Sequence, residues 1–325
     1  MSLLVIGSVA FDDIETPFGK IRKALGGSAT YFSLAASQFD RPSVVAVVGK
    51  DFSPASRRIL KKHRIDISGL QQAAGRTFRW GGKYSFDLNN RETLFTELNV
   101  FENFQPKLSP AHINISHIFL GNINPKLQLD ILRQMETPKL VGLDTMNYWI
   151  EHAASDLAKI LRLVDVLIIN DSEARELTKE RNLLKAANNI LGLMKKNRTL
   201  VIKRGECGLL MFRRSLSLQK TRPGSVGSSR KGRGGIQIFH LPGFPLEDVV
   251  DPTGAGDSFA GGFMGYLAKT RDYSWENFKR ACVAGSALAS FCVEKFGTKR
   301  LQEISAADVA RRFKEFKKLT HFDVR

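Results

Sequence analysis

Residues 249–263 read V-V-D-P-T-G-A-G-D-S-F-A-G-G-F. Pro252 has no backbone N–H and a fixed φ, so an extended segment ends there. Gly254 and Gly256 permit backbone geometries and close approaches that a side chain would block. From Asp257 onward, Phe259, Phe263 and Tyr266 or Leu267 recur at helical spacing. The stretch predicts a strand end, a tight glycine turn and a helix N-terminus with unpartnered N–H groups. Such a terminus favours anions through those N–H groups and through the helix dipole. Asp257 falls in the first turn, either as a group serving the dipole or as a reactive carboxylate. The rest of the chain has to choose between the two.

Outward from this turn, short apolar runs alternate with helical patterns. Leu3–Ala10, Val44–Val48, His117–Leu120, Leu140–Asp144, Val166–Asn170 and Leu200–Lys203 have the nearly continuous apolar character of strands covered on both faces. Helical patterns follow Gly26-Gly27-Ser28 and occupy Ser56–His63, Pro125–Met135, Ala153–Leu163, Ser172–Thr178, Leu183–Lys195 and Trp275–Val293, with a last helix from Ser305. This rhythm predicts an α/β fold with a mostly parallel central sheet and helices on both faces. Leu209–Phe212 and Ile236–Leu241 are expected to pair as a hairpin arm.

Residues 77–101 break the rhythm. They alternate with period two around the turn-forming D-L-N-N and predict a small β-hairpin lid. Phe78, Trp80, Tyr84 and Phe86 share parity and are expected on one face, packed on the core or a second subunit or closing over a ligand. With no internal repeat or linker, residues 1–325 are expected to form a single domain, with lid segments about 12–25 and 77–101 and a basic flexible insertion about 213–235.

Composition excludes several classes. Hydrophobic residues at 43% and charged residues at 25% suit a soluble globular chain, and no apolar run reaches the roughly 18 residues of a membrane span. The N-terminus resembles a strand rather than a secretory leader. Three scattered cysteines, with no metal-ligand or C-x-x-C spacing, suit a reducing cytoplasm. The six histidines show no metal or triad spacing. The net charge is +17, and residues 213–235 hold seven Lys/Arg with no Asp or Glu. Without that run the excess would still be +10. The run suits either a solvated insertion or a nucleic-acid contact, and the general positive field draws polyanionic ligands such as nucleotides.

Strand ends carry the polar residues that matter. Asp12 and Asp13 are expected just past the first strand, where α/β sheets bind ligands and a carboxylate can hold vicinal hydroxyls or cap a turn. Gly26-Gly27 allow close ligand approach, a tight turn or a hinge. Asn170 and Glu173 end the Val166–Asn170 run, fit to orient a metal-bound water or a phosphate, or to join Ser172 in a helix cap. Lys203, Gly205 and Gly208 close the Leu200–Lys203 strand.

D-P-T-G-A-G-D-S-F-A-G-G-F resembles the C-terminal signature of the ribokinase, or PfkB, family of carbohydrate and nucleoside kinases. Gly7 followed by Asp12, the Gly26-Gly27 pair, N-D-S-E at 170–173 and K-R-G-E-C-G at 203–208 extend the resemblance over nearly the whole chain. The resemblance implies an ATP-dependent kinase of a small-sugar hydroxyl, working with Mg²⁺. It makes Asp257 the catalytic base and Gly254, Ala255 and Gly256 an N–H anion hole. Asp12, Gly26 and Gly27 would hold the acceptor beside Tyr31. Asn170 and Glu173 would position Mg²⁺ through water together with phosphate. Lys203, Gly205, Gly208, Ala284 and Ala287 would lie on the nucleotide side, and Asp251 and Thr253 at a monovalent cation, K⁺.

Departures keep alternatives open. Many sugar kinases of the family carry Asn where this chain has Tyr31, which with the aromatic lid points also to a nucleoside acceptor. A third reading is a nucleic-acid-binding protein on a kinase fold, against which the intact Asp257, Asn170 and Glu173 argue. No G-x-x-x-x-G-K-[ST] exists, and Phe259 stands where a dinucleotide fingerprint wants glycine. Because a helix N-terminus depresses a carboxylate's pKa, Asp257 is expected to act late, chiefly orienting the incoming hydroxyl.

Overall fold

The structure, a computed structural model, describes residues 2–195, 198–214 and 235–321. The basic run 213–235 lies outside the described residues except at its two ends. In chain order the described strands are β1 (Leu3–Ile6), β2 (Ala10–Thr16), β3 (Gly19–Gly26), β4 (Pro42–Val48), β5 (Asp66–Gln72), β6 (Phe78–Tyr84), β7 (Arg91–Glu97), β8 (His117–Leu120), β9 (Leu140–Leu143), β10 (Val166–Asn170), β11 (Thr199–Lys203), β12 (Leu209–Arg214) and β13 (Ile236–Leu241).

Nine of them form one sheet in the order β13-β12-β11-β10-β9-β8-β1-β4-β5. The neighbours from β11 to β5 pair in parallel, and β12 and β13 are antiparallel additions at one edge. Alternation within each strand explains the apolar runs. Leu3, Val5, Val44, Ala46, Ile168 and Val201 face one core, with the helices Ser28–Ala36, Ala255–Thr270 and Trp275–Cys292. Leu4, Ile6, Val45, Val47, Ile169 and Ile202 face another, with the helices Pro125–Gln134, Ala154–Leu161 and Leu183–Leu193. Both faces are dry, so successive strand residues are all apolar. The helix Ser28–Ala36 is buried at every position, which is why its sequence lacks a polar face.

β4 and β5 extend from one side of β1, and β8 to β11 from the other. The direction of winding therefore reverses at β1 and β8, and loops leaving their C-terminal ends diverge around a crevice, the usual ligand position in such sheets.

The expected lid hairpin, β6-β7, forms and is part of a separate four-stranded sheet, β3-β2-β6-β7. Two expectations change here. The first strand stops at Ile6; after Gly7–Val9 the chain enters β2, so Asp12 lies within the lid, opposite Ala24 and Trp80. One apolar run from Leu3 to Ala10 hides this break because both strands are buried. The aromatic parity also fails: a register shift at Gly81/Gly82 interrupts β6, Tyr84 turns inward, and Phe86 lies past the strand at 93% exposure. β5 was not anticipated, since its alternation of polar and apolar residues is weak.

The helices Ser28–Ala36 and Ala255–Thr270 approach closely, and a Cβ on Gly261 would overlap the Phe32 carbonyl oxygen. Backbone cannot yield as a flexible side chain can. Gly261→Ala is expected to destabilise the fold by about 1–3 kcal/mol. Gly192→Ala, in open space on the helix Leu183–Leu193, should instead be neutral or gain up to about 1 kcal/mol. Urea midpoints of the two variants test the contrast, and equal effects would contradict this packing.

Candidate active site

Four elements deliver charged groups to one place at the C-terminal end of the sheet. Asp144 directly follows β9, Lys203 ends β11, Glu173 lies in the first turn of the helix Asp171–Thr178, and Asp257 in the first turn of Ala255–Thr270. Burial alone would depress the Lys203 ammonium, but Asp144, Glu173 and Asp257 together hold it above its ordinary value. Three carboxyls act on this cation through space, with no ion-pair contact to it among the described residues. Burial, then Asp144, pushes Glu173 up to about 7, with Lys203 and the Asn170 N–H opposing. Burial, then Asp144, pushes Asp257 up to about 7, with Lys203 and Arg91 opposing. Burial also raises Asp144 against the pull of Lys203. The expected depression of Asp257 by its helix N-terminus is overturned: burial and carboxylate repulsion win. Asp257 keeps an open edge to solvent.

The cap expectation shifts by two residues. Asn170, not Ser172, caps the helix Asp171–Thr178: its Oδ1 accepts from the Glu173 N–H at 2.7 Å, while Glu173 Oε2 accepts from the Asn170 N–H at 2.7 Å. One carboxylate oxygen of Glu173 is thereby fixed, and the other is not bound by the cap.

The glycine turn forms as predicted. Gly254 caps Ala255–Thr270 in the left-handed conformation, φ 75°. The Ala255 N–H donates to the Pro252 carbonyl at 3.2 Å, and the Ser258 N–H to Gly254 at 2.8 Å. Among the described residues neither the Gly254 nor the Gly256 N–H makes a comparable bond, so of the three expected donors these two are left free. A Cβ on Gly256 would sit 2.8 Å from Lys203 Nζ, which puts the ammonium beside that N–H.

Opposite the turn, Asp12 is 4% exposed. Burial pushes its carboxyl up to about 7 against a bond from the Gly27 N–H, with Asp251, Asp257 and Asp13 adding repulsion. A Cβ on Gly26 would overlap the Asp12 carboxylate. Tyr31 is 1% exposed, its ring wedged where a Gly254 Cβ would be, and its hydroxyl has no partner. It offers no open stacking face. Asp251 accepts from the Thr253 N–H at 2.9 Å and the Gly297 N–H at 2.8 Å, and Thr253 Oγ1 donates to the Tyr84 hydroxyl at 3.0 Å. That bond fastens the lid to the glycine turn.

On the nucleotide side the expectations divide. Gly205, φ 55°, has open space around it, whereas Gly208, φ 80°, packs on the backbone of 241–243 as a turn residue. Ala284 and Ala287 are both fully buried; the open stripe of their helix runs instead through Val283, Ser286 and Ala289.

Two residues were missed. Asp144 ends an apolar run just as Asn170 does, and the strand-end criterion would have found it. Arg91 had no sequence signal. It lies on β7 with its guanidinium 5.1 Å over the Trp80 ring, and its charge draws on Asp257 and Glu173.

Asp12, Glu173 and Asp257 ionise near 4 in an unfolded chain and at about 7 here. Between those values the folded protein holds protons that the unfolded chain has lost, so their contribution to stability falls as pH rises through that window. Asp257→Asn removes one such group. Its Tm should exceed that of the wild type by about 6 °C at pH 8 and converge on it near pH 4.5; a lower Tm than wild type at pH 8 would contradict the burial cost.

A family model described as pfkB family carbohydrate kinase matches residues 2–304. The cytidine kinase of Thermococcus kodakarensis is 27% identical over 277 residues, covering 83% of this chain and 90% of that protein. The fold matches the crystal structure of a Methanocaldococcus jannaschii nucleoside kinase with a TM-score of 0.72 at 21% identity, over 97% of this chain and 99% of that one. It matches ribokinase from Cryptococcus neoformans var. grubii serotype A, in complex with ADP, with a TM-score of 0.73 at 19% identity, over 95% and 99%. Spanned almost end to end by the family model, the chain belongs to the pfkB family of carbohydrate kinases and is a phosphotransferase with a hydroxyl acceptor.

Proposed function

We propose that the chain transfers the terminal phosphoryl group of ATP to a hydroxyl of a small sugar held between Asp12 and Asp257. The supporting observation is the placement of two carboxyls about one glycine turn: Asp12 is 4% exposed and feels the charge of Asp257, which stands in the first turn of the helix that Gly254 caps. Asp12 accepts hydrogen bonds from acceptor hydroxyls and orients them. Asp257 accepts the proton of the reacting hydroxyl, and its raised pKa makes it a stronger base than an exposed Asp. The Gly256 N–H and the Lys203 ammonium face the charge that develops on the transferred group, where fixed donors need no reorganisation. The lid, tied by Tyr84 to Thr253, excludes water that would otherwise compete as acceptor.

The donor set suits Mg²⁺. Asp144 and Glu173 offer hard oxygens and an excess of negative charge. Among the described residues no group of three or more His, Cys, Asp or Glu is arranged to hold a metal alone, which fits an ion that keeps waters and shares phosphate oxygens. When bound, Mg²⁺ neutralises charge on the triphosphate. For K⁺ we propose the neighbourhood of Asp251 and Thr253, because Asp251 is 1% exposed and has no cationic partner among the described residues.

A second reading, a nucleoside whose ribose takes the phosphoryl group, is favoured by the names of the cytidine and nucleoside kinase relatives. Tyr31 no longer supports it. We propose further that residues 1–325 work as one domain with a lid, in the cytoplasm where ATP is supplied. We also propose that two copies meet through the lid, whose Phe18, Phe86 and Leu94 are exposed; a light-scattering mass near one chain would dismiss that dimer.

The kinetic test measures ADP formation with pentoses, hexoses, sugar phosphates and nucleosides, in Mg²⁺ with K⁺ or Na⁺. Turnover with free sugars is expected, and turnover confined to nucleosides selects the second reading. Asp257→Asn should lower kcat by about 10²–10⁴-fold with KM for ATP nearly unchanged, and near-normal turnover would remove Asp257 from its role.

A further inference from the structure

The helix Pro125–Gln134 packs on the opposite face of the sheet from Ala255–Thr270. Its buried positions are apolar except Gln128, which is 0% exposed. Gln128 Nε2 donates to the Gly121 carbonyl at 2.9 Å and to the Asp144 carbonyl at 3.2 Å. These two residues directly follow β8 and β9. Two carbonyls on one nitrogen require an NH₂ group there, so the partners fix which way the amide points. Gln128 Oε1 finds no partner among the described residues. In so dry a layer a methionine would fill the same space without an unpaired oxygen. What the glutamine supplies instead is the pair of N–H bonds.

The second of those bonds bears on the reacting cluster. The Asp144 carbonyl and the Thr145 N–H belong to one planar peptide unit. Gln128 holds its oxygen, and its N–H donates to Asp144 Oδ1 at 2.9 Å. The Asp144 N–H, one unit earlier, is still tied to β8 through the Leu120 carbonyl at 2.9 Å. The 144–145 unit lies past that ladder, and among the described residues only these two side-chain bonds hold it. Turning the plane would withdraw the N–H from the carboxylate. Oδ2 accepts no bond from a described residue and is left for a ligand. We propose that Gln128 is a positioning residue, which through the 144–145 peptide aims the Asp144 carboxylate at the cation accompanying ATP. This role rests on the reading of Asp144 as a partner of Mg²⁺ given above. Donation to the carbonyl also polarises the peptide and strengthens its N–H bond to Oδ1. Groups that orient a metal's carboxylate in this way typically change metal affinity by about 10–100-fold.

Mn²⁺ serves as the probe, its binding to the full-length protein with ADP followed by electron paramagnetic resonance. The wild type is compared with Gln128→Met, Ile131→Val and Asp144→Asn, and ADP affinity without metal is measured for each. Gln128→Met keeps the volume and loses both N–H bonds. It is expected to weaken Mn²⁺ by about tenfold or more and to leave metal-free ADP affinity unchanged. Ile131→Val removes a buried methyl group from the same helix and should match the wild type in both measurements, although it too loses stability. Wild-type Mn²⁺ affinity in Gln128→Met beside a weakened Asp144→Asn overturns the role of Gln128 alone. Wild-type affinity in Asp144→Asn removes Asp144 from the metal and overturns both readings. A loss shared by Ile131→Val assigns the effect to packing and overturns the positioning role. Should Gln128→Met fail to fold, Gln128→Asn retracts the amide by one carbon from the Asp144 carbonyl and should weaken Mn²⁺ in the same direction. Unchanged affinity there overturns the proposal equally.

Discussion

Three carboxyls around one lysine form the constraint on which the rest of the site depends. Asp144, Glu173 and Asp257 cannot all ionise beside Lys203 in a pocket poor in water without strong mutual repulsion. Each supporting element reduces that cost in a different way. The Asn170 N–H fixes Glu173, Arg91 reaches in from the lid, and the helix start presents N–H groups rather than carbonyls. What remains uncompensated is negative charge that a cation brought with a triphosphate would neutralise. The protein is therefore less stable empty than a neutral version of itself, the usual consequence of preorganising charge for a ligand.

Arg91 and Tyr84 give the lid an electrostatic as well as a covering role. Both belong to the small sheet, yet one bonds Thr253 beside the glycine turn and the other biases the ionisation of Asp257. Lid position and base strength are thus coupled. Displacing β7 would remove a positive charge from the pocket and raise the Asp257 pKa further.

The sequence makes the central sheet legible because both of its faces are dry: apolar runs such as Val166–Asn170 and His117–Leu120 are the strands as built. The lid was harder. Its strands are half-exposed, Gly81/Gly82 break the parity, and the step from β1 to β2 hides inside one buried run. Within the site, residues fixed by backbone chemistry were readable: the glycine turn, Asn170 and Glu173. Residues fixed by tertiary placement were not. Arg91 on its strand looks like any exposed cation, and Ala284 and Ala287 look equivalent to the open positions beside them until the helix is rotated against its neighbour. The pKa of Asp257 illustrates the same limit with magnitudes. A helix terminus is worth about 0.3–1 kcal/mol to a carboxylate, whereas three pKa units correspond to roughly 4 kcal/mol. The first is visible in sequence and the second only in space.

Tyr31 carries this reasoning to the acceptor. Its ring fills the volume under Gly254, so that glycine is demanded twice, by its positive φ and by the phenol against its Cα. A smaller residue at 31 would leave the turn without that support and open a void beside Asp12, Asp251 and Tyr84, the groups that surround the phenol. Such a void would be lined by polar atoms and would admit water next to the reacting hydroxyl. On the proposed reading, the bulky side chain exchanges a direct polar contact with the acceptor for a rigid floor beneath the glycine turn. On the same reading, discrimination among acceptors then falls to Asp12 and the half-exposed strands of the lid to which it belongs.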